Sequence, residues 1–129
     1  MKILIVDDEA LGRQLMALHL SRYGYCDQAG SGLEAISLVH DALEADAPYD
    51  LICLDICMAG MSGFEALSTL RALEQRGGRQ TRSTVVLVTA GRFTEGDVNR
   101  LFDAGGDYLL CKPYDRAALQ GVLTQAGLA

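Results

Sequence analysis

Five side chains of this 129-residue sequence stand where apolar runs stop. Asp7 and Asp8 follow Ile3-Leu4-Ile5-Val6, and Asp55 follows Leu51-Ile52-Cys53-Leu54. Thr89 closes the run Thr84–Val88, and Lys112 closes Tyr108–Cys111. A short apolar run without polar alternation is how a strand reads when helices cover both faces of its sheet. In open α/β sheets, chemistry collects at the carboxyl ends of the strands. All five residues therefore belong on one rim. Three carboxylates close together repel, and their pKa values rise unless a cation resolves the clash. Mg²⁺ suits them, being a hard ion that takes oxygens and keeps several waters beside one or two carboxylates and a phosphate. The only histidines, His19 and His40, fall in predicted helices away from the rim, which disfavours zinc. A lone ammonium and a hydroxyl beside such a site match a transferring phosphoryl group. Asp55 then has the place of a carboxylate nucleophile, with Mg²⁺ stabilising charge as it develops.

Each member also has a plainer explanation. Asp7 and Asp8 could cap the first helix at its positive end. Asp55 could cap its own strand. Thr89 could be a structural strand-end hydroxyl, and Lys112 a surface lysine. It is their coincidence on one rim that argues for chemistry.

The elements that must position these residues follow from periodicity. Lys2–Val6 reads as a buried strand. From Leu11 to about Tyr23 the period becomes helical, with Leu11, Leu15 and Leu18 at i, i+4, i+7 as the apolar face. Tyr25–Gln28 is a weak strand suited to an edge, with Cys26 inward. Ser31-x-x-Glu34 and Ser62-x-x-Glu65 are capping-box signatures. The first opens a helix to about Glu44 faced by Ala35, Val39 and Ala42. The second opens one to about Gln75 faced by Ala66, Leu67, Leu70 and Leu73. Gly77–Gln80 and Gly91–Thr94 read as loops. A helix from about Glu95 to Ala104 has a thin apolar contribution (Val98, Leu101 and Phe102) and should be the least firmly held. The last helix, about Asp115–Gln125, directs Ala118, Leu119, Val122 and Leu123 to the sheet. Strand and helix thus alternate five times, which favours an α/β domain with a five-stranded parallel sheet. The order 2-1-3-4-5 is one of two common doubly wound solutions.

Length predicts one domain over residues 1–129. A formal charge of −6 argues against direct nucleic-acid contact and against anionic membranes. The basic residues from Arg71 to Arg82 read as a solvated helix end and loop. No segment approaches the apolar length of a membrane span or a signal peptide, so a cytoplasmic protein is expected. The spacing of Cys53 and Cys57 is not that of a zinc pair. Cys26, Cys53 and Cys111 lie in predicted strands and read as free core thiols.

With these pieces in hand, the chain resembles the receiver domains of two-component response regulators, with the flavodoxin-like (βα)5 fold. The resemblance runs from Lys2 to Gln125. It rests on Val-Asp-Asp-Glu at 6–9, Leu-Asp-Ile-Cys-Met-Ala-Gly-Met-Ser-Gly at 54–63, Thr89-Ala90 and Lys112-Pro113. It implies that Asp55 is the phosphoacceptor. It implies that Asp7 or Asp8, Asp55 and the backbone carbonyl of Cys57 hold Mg²⁺, and that Thr89 and Lys112 contact the phosphoryl group. It further implies a cis Lys112–Pro113 peptide. The donor would be a phosphohistidine on a histidine kinase or phosphotransfer protein. The switched face would be the fourth helix, fifth strand and fifth helix, which would engage a downstream protein or an output domain missing here, or pair in a phosphorylation-dependent homodimer.

Three departures from the family pattern matter. Ala59 replaces the proline usual after the methionine of the third loop, which predicts a looser turn. Leu109 stands where an inward-turning aromatic is common, and Tyr108, one residue earlier, should face the other way. Cys57 and Gly91 occupy places that tune hydrolysis in this family. Neither should position water strongly, so a longer-lived phosphoryl group is expected.

A Mg²⁺-dependent phosphohydrolase would share the nucleophile but wants a second acid and a substrate cap, and no insertion is long enough. A degenerate receiver used only for protein binding conflicts with the intact set Asp7, Asp8, Asp55, Thr89 and Lys112. A flavin or nucleotide binder would want Gly-x-Gly-x-x-Gly after strand 1, where acids stand instead. No output domain follows Ala129, which fits a stand-alone regulator and an excised receiver equally.

Overall fold

β-Branched and leucine-rich runs become strands here because both faces of the sheet are covered. The computed structural model describes residues 1–76, 82–90 and 94–129. Among these, the strands are β1 (Lys2–Val6), β2 (Tyr25–Ala29), β3 (Leu51–Asp55), β4 (Thr84–Ala90) and β5 (Tyr108–Lys112). The helices are α1 (Ala10–Leu20), α2 (Gly32–Glu44), α3 (Gly63–Arg76), α4 (Glu95–Asp103) and α5 (Arg116–Gln125). All strand pairs are parallel and the order is β2-β1-β3-β4-β5, as expected for the flavodoxin-like arrangement. The loop read at Gly77–Gln80, and Gly91–Phe93 of the loop before α4, lie outside the described residues.

Strand alternation sorts the core into two layers. Leu4, Val6, Ile52, Leu54, Val85 and Leu87 pack against α2, α3 and α4 through residues such as Ala35, Leu67 and Leu101. Ile3, Ile5, Leu51, Cys53, Val86 and Val88 pack against α1 and α5 through Met16, Leu20, Leu119 and Leu123. Every residue of β3 is buried, which makes it the most enclosed strand. β2 lies at an edge with mixed burial, as its weak apolar content predicts.

Helix starts follow local chemistry. The Ser31 side chain accepts from the Glu34 amide, but the Glu34 carboxylate turns to the Gly30 amide. The Ser62 hydroxyl accepts from the Glu65 amide. A full capping box occurs at α4, where Thr94 and Asp97 bond reciprocally. It escapes a sequence reading keyed to glutamate at the third position.

The structure corrects several expectations. α1 forms, but it ends at Leu20 and its inner face is Met16 and Leu20. Leu11 and Leu18 are 66% and 74% exposed, and Leu15 also faces outward. The sequence carries two apolar stripes, and the inner one is disguised because its first member is Gly12. That glycine is required by close approach: a Cβ there would lie 2.2 Å from Asp7 Oδ2. Phe102 of α4 and Ala118 of α5 also point outward, leaving Leu101 as the one buried residue of α4. Arg71 is not solvated but buried, ion-paired with Glu74 and Asp107.

Denaturant unfolding should separate the two stripes of α1. Leu20→Ala is expected to cost about 2–5 kcal/mol. Leu18→Ser is expected to stay within about 0.5 kcal/mol of the parent.

Candidate functional site

The parallel sheet carries the five singled-out residues to one rim, and alternation decides which face each takes. Asp7 and Asp55 each fall four residues after a residue of the α1/α5 layer, Ile3 and Leu51. Lys112 falls two after Leu110 of the same layer. Thr89 follows Leu87 by two and so takes the opposite face, beside the register pair Leu87 and Leu109. Asp7, Asp55 and Thr89 are buried, while Asp8 is exposed.

One ammonium joins the acids. Lys112 Nζ donates to Asp7 Oδ2 and Asp55 Oδ2, both at 3.1 Å. The other oxygens are held by backbone. Asp55 Oδ1 accepts from the Cys57 amide at 2.9 Å, and Asp7 Oδ1 accepts from the Glu9 amide at 2.9 Å. Asp8 Oδ2 accepts from the Ala59 amide at 3.0 Å, tying the acidic loop to the loop after β3. Carboxylate oxygens of Asp7, Asp8 and Asp55 lie within 4.8 Å of one another.

The electrostatics follow from burial and crowding. Burial raises the Asp55 pKa above the ordinary carboxylate value, and the nearby Asp7 charge pushes the same way. The Cys57 amide and Lys112 oppose that rise without cancelling it. Burial alone would lower the Lys112 pKa, but its two carboxylate partners outweigh it and raise the pKa above the ordinary lysine value. A tight set of acidic oxygens, partly stripped of water, is what a hard divalent cation satisfies. No histidine or thiol belongs to this cluster among the described residues.

The cis Lys112–Pro113 peptide is present. Leu109 packs in the α2/α3/α4 layer, and Tyr108 faces the other layer and donates its hydroxyl to the Gln125 carbonyl at 3.1 Å. Gly91 lies outside the described residues. Sequence reasoning missed a groove of about 570 Å³ beside the rim, lined by Leu11, Leu15, His19, Lys112, Pro113 and Tyr114. Its signal was available in the second apolar stripe of α1.

A doubly wound α/β domain with an acidic, lysine-bridged rim at the carboxyl ends of its strands defines the class. Within that class, the chain belongs to the response-regulator receiver domains of two-component phosphorelay systems: the family described as "Response regulator receiver domain" matches residues 3–124. The chain is similar to the transcriptional regulatory protein ResD of Bacillus subtilis, 36% identical over 114 residues, which cover 88% of this chain and 42% of ResD. It is 32% identical over 127 residues to hybrid signal transduction histidine kinase L of Dictyostelium discoideum, covering 98% of this chain and 7% of that protein. The chain thus spans less than half the length of either relative. Among solved structures, the receiver domain of the histidine kinase CKI1 from Arabidopsis thaliana, complexed with Mg²⁺, superposes with a TM-score of 0.86. It is 27% identical, with 97% of this chain and 90% of that one covered.

All four thiols are free, but they are not equivalent. Cys111, expected in the core, is exposed because β5 is an edge strand, and Cys57 is exposed as well. Burial pushes the Cys53 thiol up to about 12. Native alkylation at neutral pH, followed by mass spectrometry, should label Cys57 and Cys111, with Cys53 labelled only after unfolding.

Proposed function

We propose that residues 1–129 act as one phosphoacceptor unit, in which Asp55 takes a phosphoryl group from a phosphohistidine on a histidine kinase or phosphotransfer protein. The observation that carries this reading is the single Lys112 ammonium 3.1 Å from both Asp7 and Asp55 at the head of an acidic cluster. An Asp55 carboxylate oxygen attacks phosphorus, an O–P bond forms, and the N–P bond breaks. The imidazole leaves and regains its proton from solvent. The Cys57 amide fixes the carboxylate during attack. Lys112 turns from the two carboxylates to a phosphoryl oxygen, and the Thr89 hydroxyl donates to another.

Mg²⁺, held by Asp7, Asp8, Asp55 and the Cys57 carbonyl, would neutralise the crowded acids and the incoming phosphoryl charge. The oxygen-rich donor set supports that ion over a softer one. The phosphotransfer and the slow hydrolysis that later releases the phosphoryl group to water as inorganic phosphate are self-catalysed reactions of the domain, not turnover of a small substrate. Cys57 offers only a thiol to water, which supports a long-lived phosphoryl group.

The donor's place is supported by the exposed leucines of α1. Leu11, Leu15 and Tyr114 form an apolar groove that also includes Lys112, so a helix seated there presents its histidine to the rim. The output surface is α4–β5–α5. It engages a downstream protein or a linked output domain, or pairs two copies once phosphorylated. The acidic net charge supports partners other than nucleic acid. Among the described residues no helix is long and apolar enough to cross a membrane, and we place the reaction in the cytoplasm as part of the same proposal.

Incubation with acetyl phosphate and Mg²⁺ should add one phosphoryl group, about 80 Da, by intact mass. The adduct should be absent from Asp55→Asn and from the EDTA-treated parent. Gly12→Ala should reduce the labelling rate by about tenfold or more while the fold persists by circular dichroism, because its Cβ displaces the Asp7 oxygen that binds Lys112. Labelling of Asp55→Asn at parental rate would overturn the assignment.

A further inference from the structure

We infer that Arg71 is a fixed pivot for α4, so that the phosphoryl signal swings the N-terminal half of that helix while its C-terminal end stays clamped. This rests on the phosphoacceptor reading above and assigns a task to a buried charge cluster that the phosphoryl chemistry does not use.

The Arg71 guanidinium is engaged on every side. Its Nε donates to the Gly105 carbonyl at 2.9 Å, and Nη1 donates to Glu74 Oε1 at 2.6 Å and to the Ser83 carbonyl at 2.9 Å. Nη2 donates to Asp107 Oδ2 at 2.9 Å. Glu74 in turn accepts from the Ser83 amide and hydroxyl, and Asp107 accepts from the Val85 amide and from Arg82. One planar cation thus binds the last turn of α3, the start of β4 and the segment between α4 and β5. Arg71, Glu74 and Ser83 are all buried. Removing one partner from such a set leaves a charge unpaired in a poor solvent, so the joint resists opening.

Gly105 is the point of attachment. Its φ is +98°, which favours glycine, and a Cβ there would lie 2.9 Å from Arg71 Cγ. The Gly106 amide bonds to the Leu101 carbonyl and the Gly105 amide to Phe102, a Schellman closure of α4. The carbonyl of that closing glycine is the one Arg71 and Arg82 hold.

Among the described residues, the other end of α4 has no such anchor. Its capping box is internal, between Thr94 and Asp97. Glu95 and Gly96 are exposed, Val98 is half-buried, and the first buried residue is Leu101. Arg100 lies over the Phe64 ring at 4.4 Å, a contact that is weak in solvent. Thr89 stands at the far end of β4 from Ser83, which precedes the strand, about 20 Å away at roughly 3.3 Å per residue. A shift at Thr89 therefore reaches the free end of α4 and not the clamped one.

Hydrogen–deuterium exchange of the whole chain, with and without Mg²⁺ and beryllofluoride as phosphoryl mimic, tests this. The mimic should change exchange severalfold in peptides covering 94–100 and leave 104–107 unchanged. Arg71→Met should raise exchange at 104–107 by at least tenfold and spread the mimic's effect into that segment, while Asp55 still accepts phosphate from acetyl phosphate. If Arg71→Met does not fold, Asp107→Asn, which keeps an acceptor for the Val85 amide, should act in the same direction. Equal mimic effects at 94–100 and 104–107 in the parent would overturn the pivot. So would unchanged exchange at 104–107 in the folded variant. Absence of any mimic effect on the loop 56–61 would instead sink the phosphoacceptor reading, and the pivot with it.

Discussion

One ammonium lies between two buried carboxylates, and much of the molecule is arranged to permit it. Asp7 follows β1, Asp55 ends β3 and Lys112 ends β5, so β4 stands between the ammonium and its nearer partner. Two strand spacings are about 9.6 Å. A short cation could not cross that gap, but the lysine stem can reach over Val88, which lines the same small cavity as Asp7, Asp55 and Lys112. α1 must then pack closely enough to bury Asp7 without displacing it, and Gly12 allows that. The strand order, the lysine and the glycine are three conditions of a single electrostatic arrangement.

The alternation that gathers the acids and the ammonium on the α1/α5 face also sends Thr89 to the other. There it follows by two residues Leu87, which packs in one layer with Leu109 and Leu101. On the reading advanced above, Thr89 meets the phosphoryl group at the strand ends while facing the layer of α4, so β4 touches both the chemistry and its readout. The lack of an aromatic at Leu109 changes what can move within that layer. An apolar side chain has no hydroxyl to exchange partners, so on the reading advanced above a signal leaving Thr89 has to travel through packing and through α4 itself.

Much of this was legible in the residues. Apolar runs closed by Asp, Thr or Lys revealed the strands and the rim, because a parallel sheet buried on both faces leaves polar residues little place except at strand ends. Two of the misreadings have instructive physical causes. In α1 the outward leucines look like a core stripe by spacing, since periodicity counts apolar residues and is blind to a glycine that marks the buried side. In α3, Arg71 sits in the last turns of a helix, where arginine usually faces water. Its burial depends on Glu74 one turn away, but also on Ser83 and Asp107, which are distant in sequence and met only through the sheet. Local patterns cannot register partners of that kind.

The exposed leucines of α1 acquire meaning from what lies beside them. Pro113 and Tyr114 line the groove against α1, and they also line a second concavity with Leu109, Cys111, Ala118 and Val122 on the β5–α5 side. The corner after Lys112 is thus common to two surfaces. Tyr114 is fastened there by its ring against His19, 5.9 Å between centroids, and by its hydroxyl at Met16 Sδ. A protein seated in the first groove covers part of the wall of the second. Donor and output partner, on the reading advanced above, meet at the same two residues and do not dock independently.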